Sequence, residues 1–195
     1  GRFSCQLYLR LLCETWKAYS HNTKRSLLDH QHFLYHCPFP RLAEKGHKKL
    51  MMQKHEDVFC KEMFDKQLEK SLIYSKEIGN SYTASLYVSL ISLLENTDED
   101  LSGQRIGLYS YGSGATAEYF SGVVQPKYHE VLYQRKHSKY LRSRKELSAE
   151  EYEDFYNFPY PTDGSHLRMP EYDTGCFRLS NIENHKRIYE ICQEY

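Results

Sequence analysis

The stretch that most constrains the fold is residues 106–124, where two apolar runs flank a short segment rich in glycine and serine. The runs are IGLYSY at 106–111 and AEYFSGVV at 117–124. Such runs are typical of strands, and two strands separated by so few residues predict a β-hairpin. Glycine costs backbone entropy on folding, so its concentration here has a local cause. A tight turn is one cause, and close approach of a ligand to the backbone is the other.

A second run, HFLYH at 32–36, ends at the sequence Cys-Pro-Phe-Pro. Proline cannot donate a ladder hydrogen bond, so the strand must stop there. Pro40 suits the first turn of a helix, which the sequence RLAEKGHKKLMMQ then continues. The sequence therefore predicts a strand, a sharp turn with His36 at its tip, and a helix.

Helical periodicity or composition marks six further segments of the chain. The one at 81–95 has small and apolar residues nearly all round, which is typical of a buried helix. The others are 4–19, 58–75, the stretch from 126 to about 144, 148–156 and 180–195, with a surface loop at 157–166. No linker or internal repeat divides the sequence, so we expect one α/β domain over residues 1–195.

Composition limits the classes of function. The chain has 26 basic and 26 acidic residues, so no global charge points to nucleic acid or membrane. Its six cysteines form no C-x-x-C pair and have no zinc-like spacing, which favours reduced thiols in a cytoplasmic protein without a bound metal. No apolar stretch is long enough to span a bilayer. Because Gly1 stands where a methionine is expected and a helix follows almost at once, we expect a fragment.

Three loops contain residues suited to chemistry. His36 ends a strand, where an imidazole either contacts a substrate carbonyl or only satisfies its own surroundings. Asn80 precedes the buried helix and is either its cap or an amide donor to a carbonyl. Residues 110–114, Ser-Tyr-Gly-Ser-Gly, offer backbone N–H groups and hydroxyls with few bulky side chains. Each feature alone leaves both interpretations open.

Together with their flanking sequences, these loops resemble a known family. The segments YHCPFPRLAEKGHKKL, YSKEIGNSYTASLYVSLISLLEN and RIGLYSYGSGATAEYFSG resemble, in order and spacing, the C-terminal half of 3-hydroxy-3-methylglutaryl-CoA synthases, most closely the bacterial mevalonate-pathway enzymes. RKELSAEEYEDFY and FRLSNIENHKRIYE fit the same family's tail. The resemblance implies a thiolase-like fold, in which two α/β halves form layers of helix, sheet, helix, sheet and helix. This chain would be the second half.

The resemblance also implies an activity and its partners. The family condenses acetyl-CoA with acetoacetyl-CoA, uses no other cofactor, and is commonly dimeric. Its nucleophilic cysteine and its glutamate base belong to the N-terminal half, and neither segment has a match here. We therefore expect the chain to supply half a site and to be inactive alone.

Carried over by position, the resemblance assigns roles to individual residues. His36 would polarise the ketone under attack, and Asn80 would hydrogen-bond the acyl substrate. Two further groups would contact the acyl chain and the CoA nucleotide: Ser110, Tyr111, Gly112 and Ser113 in the first, and Arg41 and Lys45 in the second. Arg41 stands where the family usually has lysine, and Glu44 where bacterial members often have a basic residue, so the CoA contacts depart from the family's pattern.

Two other classes of function stay open. A polyketide β-branching synthase performs the same bond formation on acyl-carrier proteins. A non-catalytic assembly or binding module is the other, because residues 127–145 are basic and aromatic, a composition found in surfaces that bind nucleic acid or a carrier protein. The same segment also fits a solvated surface helix, which the neutral charge of the whole chain favours. Cys37 lies beside His36, but adjacent strand residues point to opposite sides, which is a poor geometry for a Cys–His pair.

Overall fold

The computed structural model describes residues 2–52, 61–112, 114–171 and 175–192, with the backbone alone for 61–64. The chain forms two compact units, residues 1–143 and 144–195. The expectation of one domain over residues 1–195 stays a prediction. No helix of the described residues is long and apolar enough to cross a membrane.

The first unit alternates helices with three strands. Its elements are α1 (Arg2–Thr23), β1 (His32–Tyr35), α2 (Pro40–Met51), α3 (Lys61–Leu68), α4 (Ile73–Ile78), α5 (Ser85–Asn96), β2 (Arg105–Gly112), β3 (Thr116–Val123) and α6 (Gln134–Arg142). Short 3₁₀ segments lie at Leu27–Asp29, Glu69–Leu72, Tyr82–Ala84 and Tyr128–Val131.

The sheet of this unit has the order β1-β2-β3. β1 runs parallel to β2 with Tyr35 opposite Tyr109, and β3 returns antiparallel with Tyr119 opposite Tyr109. The predicted hairpin is therefore confirmed. Its turn has left-handed backbone at Gly114 (φ 91°) and Ala115 (φ 64°). Ser113 lies outside the described residues.

Helices cover both faces of the sheet, because alternate strand residues point to opposite sides. On one face, α1 buries Tyr8, Leu12, Trp16 and Tyr19 at helical spacing, and α2 buries Leu42 and Leu50. On the other face, Leu34, Ile106 and Leu108 of the strands form a second cluster with Leu86 and Leu93 of α5. The first unit thus has three layers, with the sheet between two layers of helices.

Several helices differ from the sequence-based expectation. α5 begins at Ser85 rather than 81, because Gly79 (φ 74°) and Tyr82 (φ 52°) place left-handed backbone before it. It is not buried all round, since Tyr87 is 58% exposed. The helix expected at 58–75 is divided into α3, a 3₁₀ turn and α4, and residues 58–60 lie outside the described part. The helix expected from 126 forms only at Gln134–Arg142, after a 3₁₀ turn.

The second unit contains α7 (Ala149–Tyr156) and an antiparallel sheet of β4 (Leu167–Arg168), β5 (Phe177–Glu183) and β6 (Lys186–Ile191). The helix at 148–156 is confirmed, and Ser148 and Glu151 cap its start reciprocally. The helix predicted at 180–195 is wrong over its described residues. Asn184 (φ 48°) and His185 (φ 61°) are both left-handed, as a two-residue hairpin turn requires, and this turn joins β5 to β6.

Candidate active site

His36 lies where two parallel strands end. Its N–H donates to the Tyr109 carbonyl at 2.7 Å, which extends the β1–β2 pairing by one residue. The imidazole is half-buried, and its centroid lies 6.0 Å from that of the Tyr111 ring. The carboxyl ends of parallel strands are a common place for ligand sites, since side chains there face open space beyond the sheet.

Three hydrogen bonds fix the strand end around His36. The Tyr8 hydroxyl donates to the His36 carbonyl at 2.9 Å. The Ser85 Oγ lies 3.0 Å from His36 Nδ1 and accepts the Cys37 N–H at 2.9 Å. Burial lowers the pKa of His36, so its imidazole is neutral at neutral pH. The ring is therefore positioned from one side by α5 and stays uncharged.

Ser110, Tyr111 and Gly112 are the last three residues of β2, beside His36. The Tyr111 ring contacts Tyr8 edge-on, with centroids 5.3 Å apart. A Cβ added to Gly112 would meet only the Thr116 carbonyl oxygen, at an ordinary 3.8 Å. The turn thus explains the glycine at 114 but not the one at 112. Close approach of a ligand to the backbone remains the other explanation for Gly112.

Asn80 does not begin the following helix, as its position in the sequence suggested. It is exposed, and its Oδ1 accepts the Tyr82 N–H at 2.8 Å, which closes an Asx turn before the 3₁₀ segment Tyr82–Ala84. Its amide nitrogen has no hydrogen-bond partner among the described residues. The 3₁₀ segment contacts β2 and leads into Ser85, so the loop of Asn80 approaches the strand end from the α5 side.

Arg41 and Lys45 are exposed on α2, four residues apart and therefore on one face of the helix. The opposite face of α2 is buried and includes Leu42 and Leu50. Neither cation forms an ion pair with a described residue. Since α2 begins four residues after His36, these two positive charges lie just beyond the strand end, with the acidic Glu44 between them in the sequence.

Cys37 has the surroundings of a structural thiol. Its side chain is buried, and burial raises the pKa of its thiol. A nucleophilic cysteine needs the opposite shift, since the thiolate is the reactive form. Burial therefore also disfavours Cys37 as a nucleophile, as its place beside His36 did.

Sequence reasoning missed a buried carboxylate at the other end of α5. The Glu95 side chain is fully buried, and it accepts the Tyr74 hydroxyl at 2.5 Å and the Tyr133 N–H at 3.0 Å. Nδ1 of His137 lies 2.9 Å from the same carboxylate. Burial and the bond to Glu95 raise the pKa of Tyr74 to about 12. A cleft of about 520 Å³ lies beside this cluster, lined in part by Tyr133 and Gln134.

The family of the chain follows from comparison with known proteins. Residues 52–158 match the family described as hydroxymethylglutaryl-coenzyme A synthase C terminal. The chain belongs to the hydroxymethylglutaryl-CoA synthase family. It is 33% identical to the synthase of Enterococcus faecalis, over 97% of this chain and 48% of that enzyme. It spans about half the length of the curated relatives it matches.

Solved structures of the family share the fold. A crystal structure of HMG-CoA synthase complexed with CoA matches with a TM-score of 0.84 and 40% identity, over 98% of this chain and 49% of that one. The predicted thiolase-like α/β fold is thereby confirmed, as is the likeness to the C-terminal half. A second branch is also similar: the polyketide 3-hydroxy-3-methylglutaryl-ACP synthase of Bacillus subtilis (strain 168) is 32% identical over 63% of this chain and 30% of that enzyme.

Proposed function

We propose that the chain supplies the acetoacetyl- and CoA-binding half of a hydroxymethylglutaryl-CoA synthase, which condenses acetyl-CoA with acetoacetyl-CoA in the mevalonate pathway. The observation that carries this proposal is the neutral imidazole of His36, held at the carboxyl ends of two parallel strands by Ser85. Its Nε2 has no hydrogen-bond partner among the described residues and is available to a ligand.

His36 would act on the ketone that the acetyl carbanion attacks. As the carbon–carbon bond forms, negative charge develops on the ketone oxygen, and a fixed N–H donor stabilises that charge. A half-buried donor is worth more than one in water, because the local dielectric is lower. The unpaired amide of Asn80 would hydrogen-bond the acyl substrate.

The end of β2 would line the acyl pocket through Ser110, Tyr111 and Gly112, with Ser113 following. The described structure has room for a Cβ at position 112, so packing alone does not require glycine there. The absence of a side chain would let a thioester lie against the backbone. Arg41 and Lys45 would bind the nucleotide phosphates of CoA, since both charges are exposed and unpaired among the described residues. The similar synthase crystallised with CoA supports this ligand class.

The nucleophilic cysteine and the glutamate base would come from an N-terminal half. The half-length match to the Enterococcus faecalis enzyme supports such a partner. A homodimer, a cytoplasmic location and the lack of a metal, further cofactor, nucleic-acid or membrane partner stay predictions.

Carrier-protein substrates are the second candidate, and the likeness to the Bacillus subtilis polyketide synthase favours them. The two candidates differ in what presents the acyl group: a CoA nucleotide or a protein-bound phosphopantetheine. Arg41 and Lys45 favour CoA, because a nucleotide offers phosphates to both cations.

Thiol release from acetyl-CoA plus acetoacetyl-CoA tests the proposal, measured on the longest natural polypeptide that contains these residues and on residues 1–195 alone. We expect release only from the longer protein. Release from residues 1–195 alone would contradict the division of the site. Release only with acylated carrier protein would replace the first candidate by the second.

The variant His36→Ala, in the longer protein, tests the assigned step. We expect condensation to fall by about 10²–10³-fold, the range for loss of one oxyanion donor, while radiolabelled acetyl still loads onto the enzyme. His21→Ala is a matched control, since His21 is exposed on α1. Equal loss of loading and condensation would show that His36 does not act on the ketone.

A further inference from the structure

The hydroxyl of Ser85 has two hydrogen-bond partners, the Cys37 N–H and the His36 imidazole. Its side chain is completely buried at the first residue of α5. The Oγ accepts the Cys37 N–H at 2.9 Å and lies 3.0 Å from His36 Nδ1. No other partner of this hydroxyl occurs among the described residues.

Counting protons decides the direction of the bond between Ser85 and His36. A hydroxyl has one proton to donate and two lone pairs that accept. If Nδ1 of His36 carried the ring proton, Ser85 would accept twice, and its own buried proton would have no acceptor. If Nδ1 is unprotonated, the hydroxyl donates to it and every group is satisfied. A buried unpaired donor is costly, so the second arrangement is favoured.

We propose that Ser85 is a positioning residue that holds the neutral imidazole of His36 in the tautomer with its proton on Nε2. The ring then presents an N–H donor, rather than a lone pair, on the side away from α5. The assignment of the tautomer does not depend on the proposed function. Only its consequence, that the Nε2–H donor faces the ketone oxygen, rests on that function. The tautomer itself is a property of the protein without substrate.

The burial of His36 is consistent with this arrangement. The lowered pKa keeps the ring neutral, and only a neutral imidazole has two tautomers to choose between. A cation would offer a donor on both nitrogens whatever Ser85 did. The serine therefore matters under the conditions in which the ring is uncharged.

The α5 helix offers a matched control for Ser85. Ser89 is one turn further on, is equally buried, and its hydroxyl has no hydrogen-bond partner among the described residues. Removing the Ser89 hydroxyl changes the buried surface of the same helix without touching His36. Ser85→Thr keeps the hydroxyl and serves as the conservative variant.

The first experiment reads the tautomer directly. The longest natural polypeptide is labelled with ¹⁵N-histidine, and long-range ¹H–¹⁵N correlations of the rings are recorded at about pH 8, above the ordinary pKa of histidine. His36→Ala identifies the signals of His36. We expect a protonated Nε2 and an unprotonated Nδ1 in the wild type and in Ser89→Ala, and a mixture of tautomers in Ser85→Ala. A protonated Nδ1 in the wild type would overturn the inference.

The second experiment measures condensation kinetics in the same proteins. We expect kcat to fall about tenfold in Ser85→Ala with a smaller change in KM, and to return toward the wild-type value in Ser85→Thr. Equal losses in Ser85→Ala and Ser89→Ala would assign the effect to helix packing and overturn the inference. Wild-type protein with the expected tautomer but no condensation would support the role of Ser85 and reject the proposed function.

Discussion

Replacing Gly107 by alanine tests how closely the sheet packs beneath α1. Gly107 lies on β2, and the Tyr119 ring of β3 crosses over it. A Cβ at position 107 would lie 2.0 Å from the Tyr119 phenol oxygen, 3.0 Å from Cζ of that ring and 3.3 Å from Cδ1 of Phe33. Both rings are buried, so neither moves aside without disturbing its neighbours.

The expected cost follows from these distances. Overpacking a core by one methyl costs about 1–3 kcal/mol, and a contact of 2.0 Å places Gly107→Ala near or above the upper limit. The phenol oxygen of Tyr119 is buried without a hydrogen-bond partner among the described residues. Tyr119→Phe should therefore be neutral or stabilise the fold by about 1 kcal/mol, because it removes an unsatisfied polar group. The double variant loses the shortest contact and should recover about 1–2 kcal/mol of the alanine cost.

Urea denaturation of the wild type, the two single variants and the double variant measures these free energies of unfolding. A Gly107→Ala protein as stable as the wild type would refute the packing argument. So would additive effects in the double variant, because the phenol oxygen would then not be the group that meets the new methyl.

Two further predictions concern buried ionisable groups. Burial lowers the pKa of His47 to about 3, so the unfolded chain takes up its proton first as the pH falls through the ordinary pKa. Stability is therefore greatest above that pKa, and lowering the pH from about 7 to about 5 should cost about 2 kcal/mol on account of His47. Urea melts at both pH values should give a smaller difference for His47→Gln, and an equal difference would contradict this origin. Glu95→Ala leaves the buried Tyr74 hydroxyl and the Tyr133 N–H without their acceptor, so we expect a loss of about 1–3 kcal/mol in thermal or urea unfolding. The exposed Glu99→Ala should leave stability unchanged, and a comparable loss there would remove the special role of Glu95.

The parts of the fold that sequence predicted are those set by local chemistry. The prolines after His36 end β1 and begin α2, and Gly114 after β2 marks the hairpin turn. The helix assigned to 180–195 failed because its turn has no glycine or proline. Asn184 and His185 adopt left-handed backbone, and asparagine does so readily, but neither residue breaks a helix as glycine or proline does.

Some residues of the candidate site could be located from the local sequence pattern, and others could not. His36, Ser110 and Tyr111 belong to strand ends, which the pattern located, and the structure places them side by side. Ser85 and Glu95 gave no signal, because their roles arise from contacts with residues 49 and 42 positions away in the chain, His36 and His137. A serine among small helical residues and a glutamate near a helix end have ordinary local explanations.

The two ends of α5 have a joint consequence for the dynamics of the molecule. One end bonds His36 through Ser85, and the other bonds α6 through Glu95, about 15 Å away along the helix axis. A helix of 12 residues is only marginally stable by itself, so its order depends on these attachments and on the leucines between them. Because opening at either end removes support from the other, we expect the strand end of His36 and the first turn of α6 to unfold locally together.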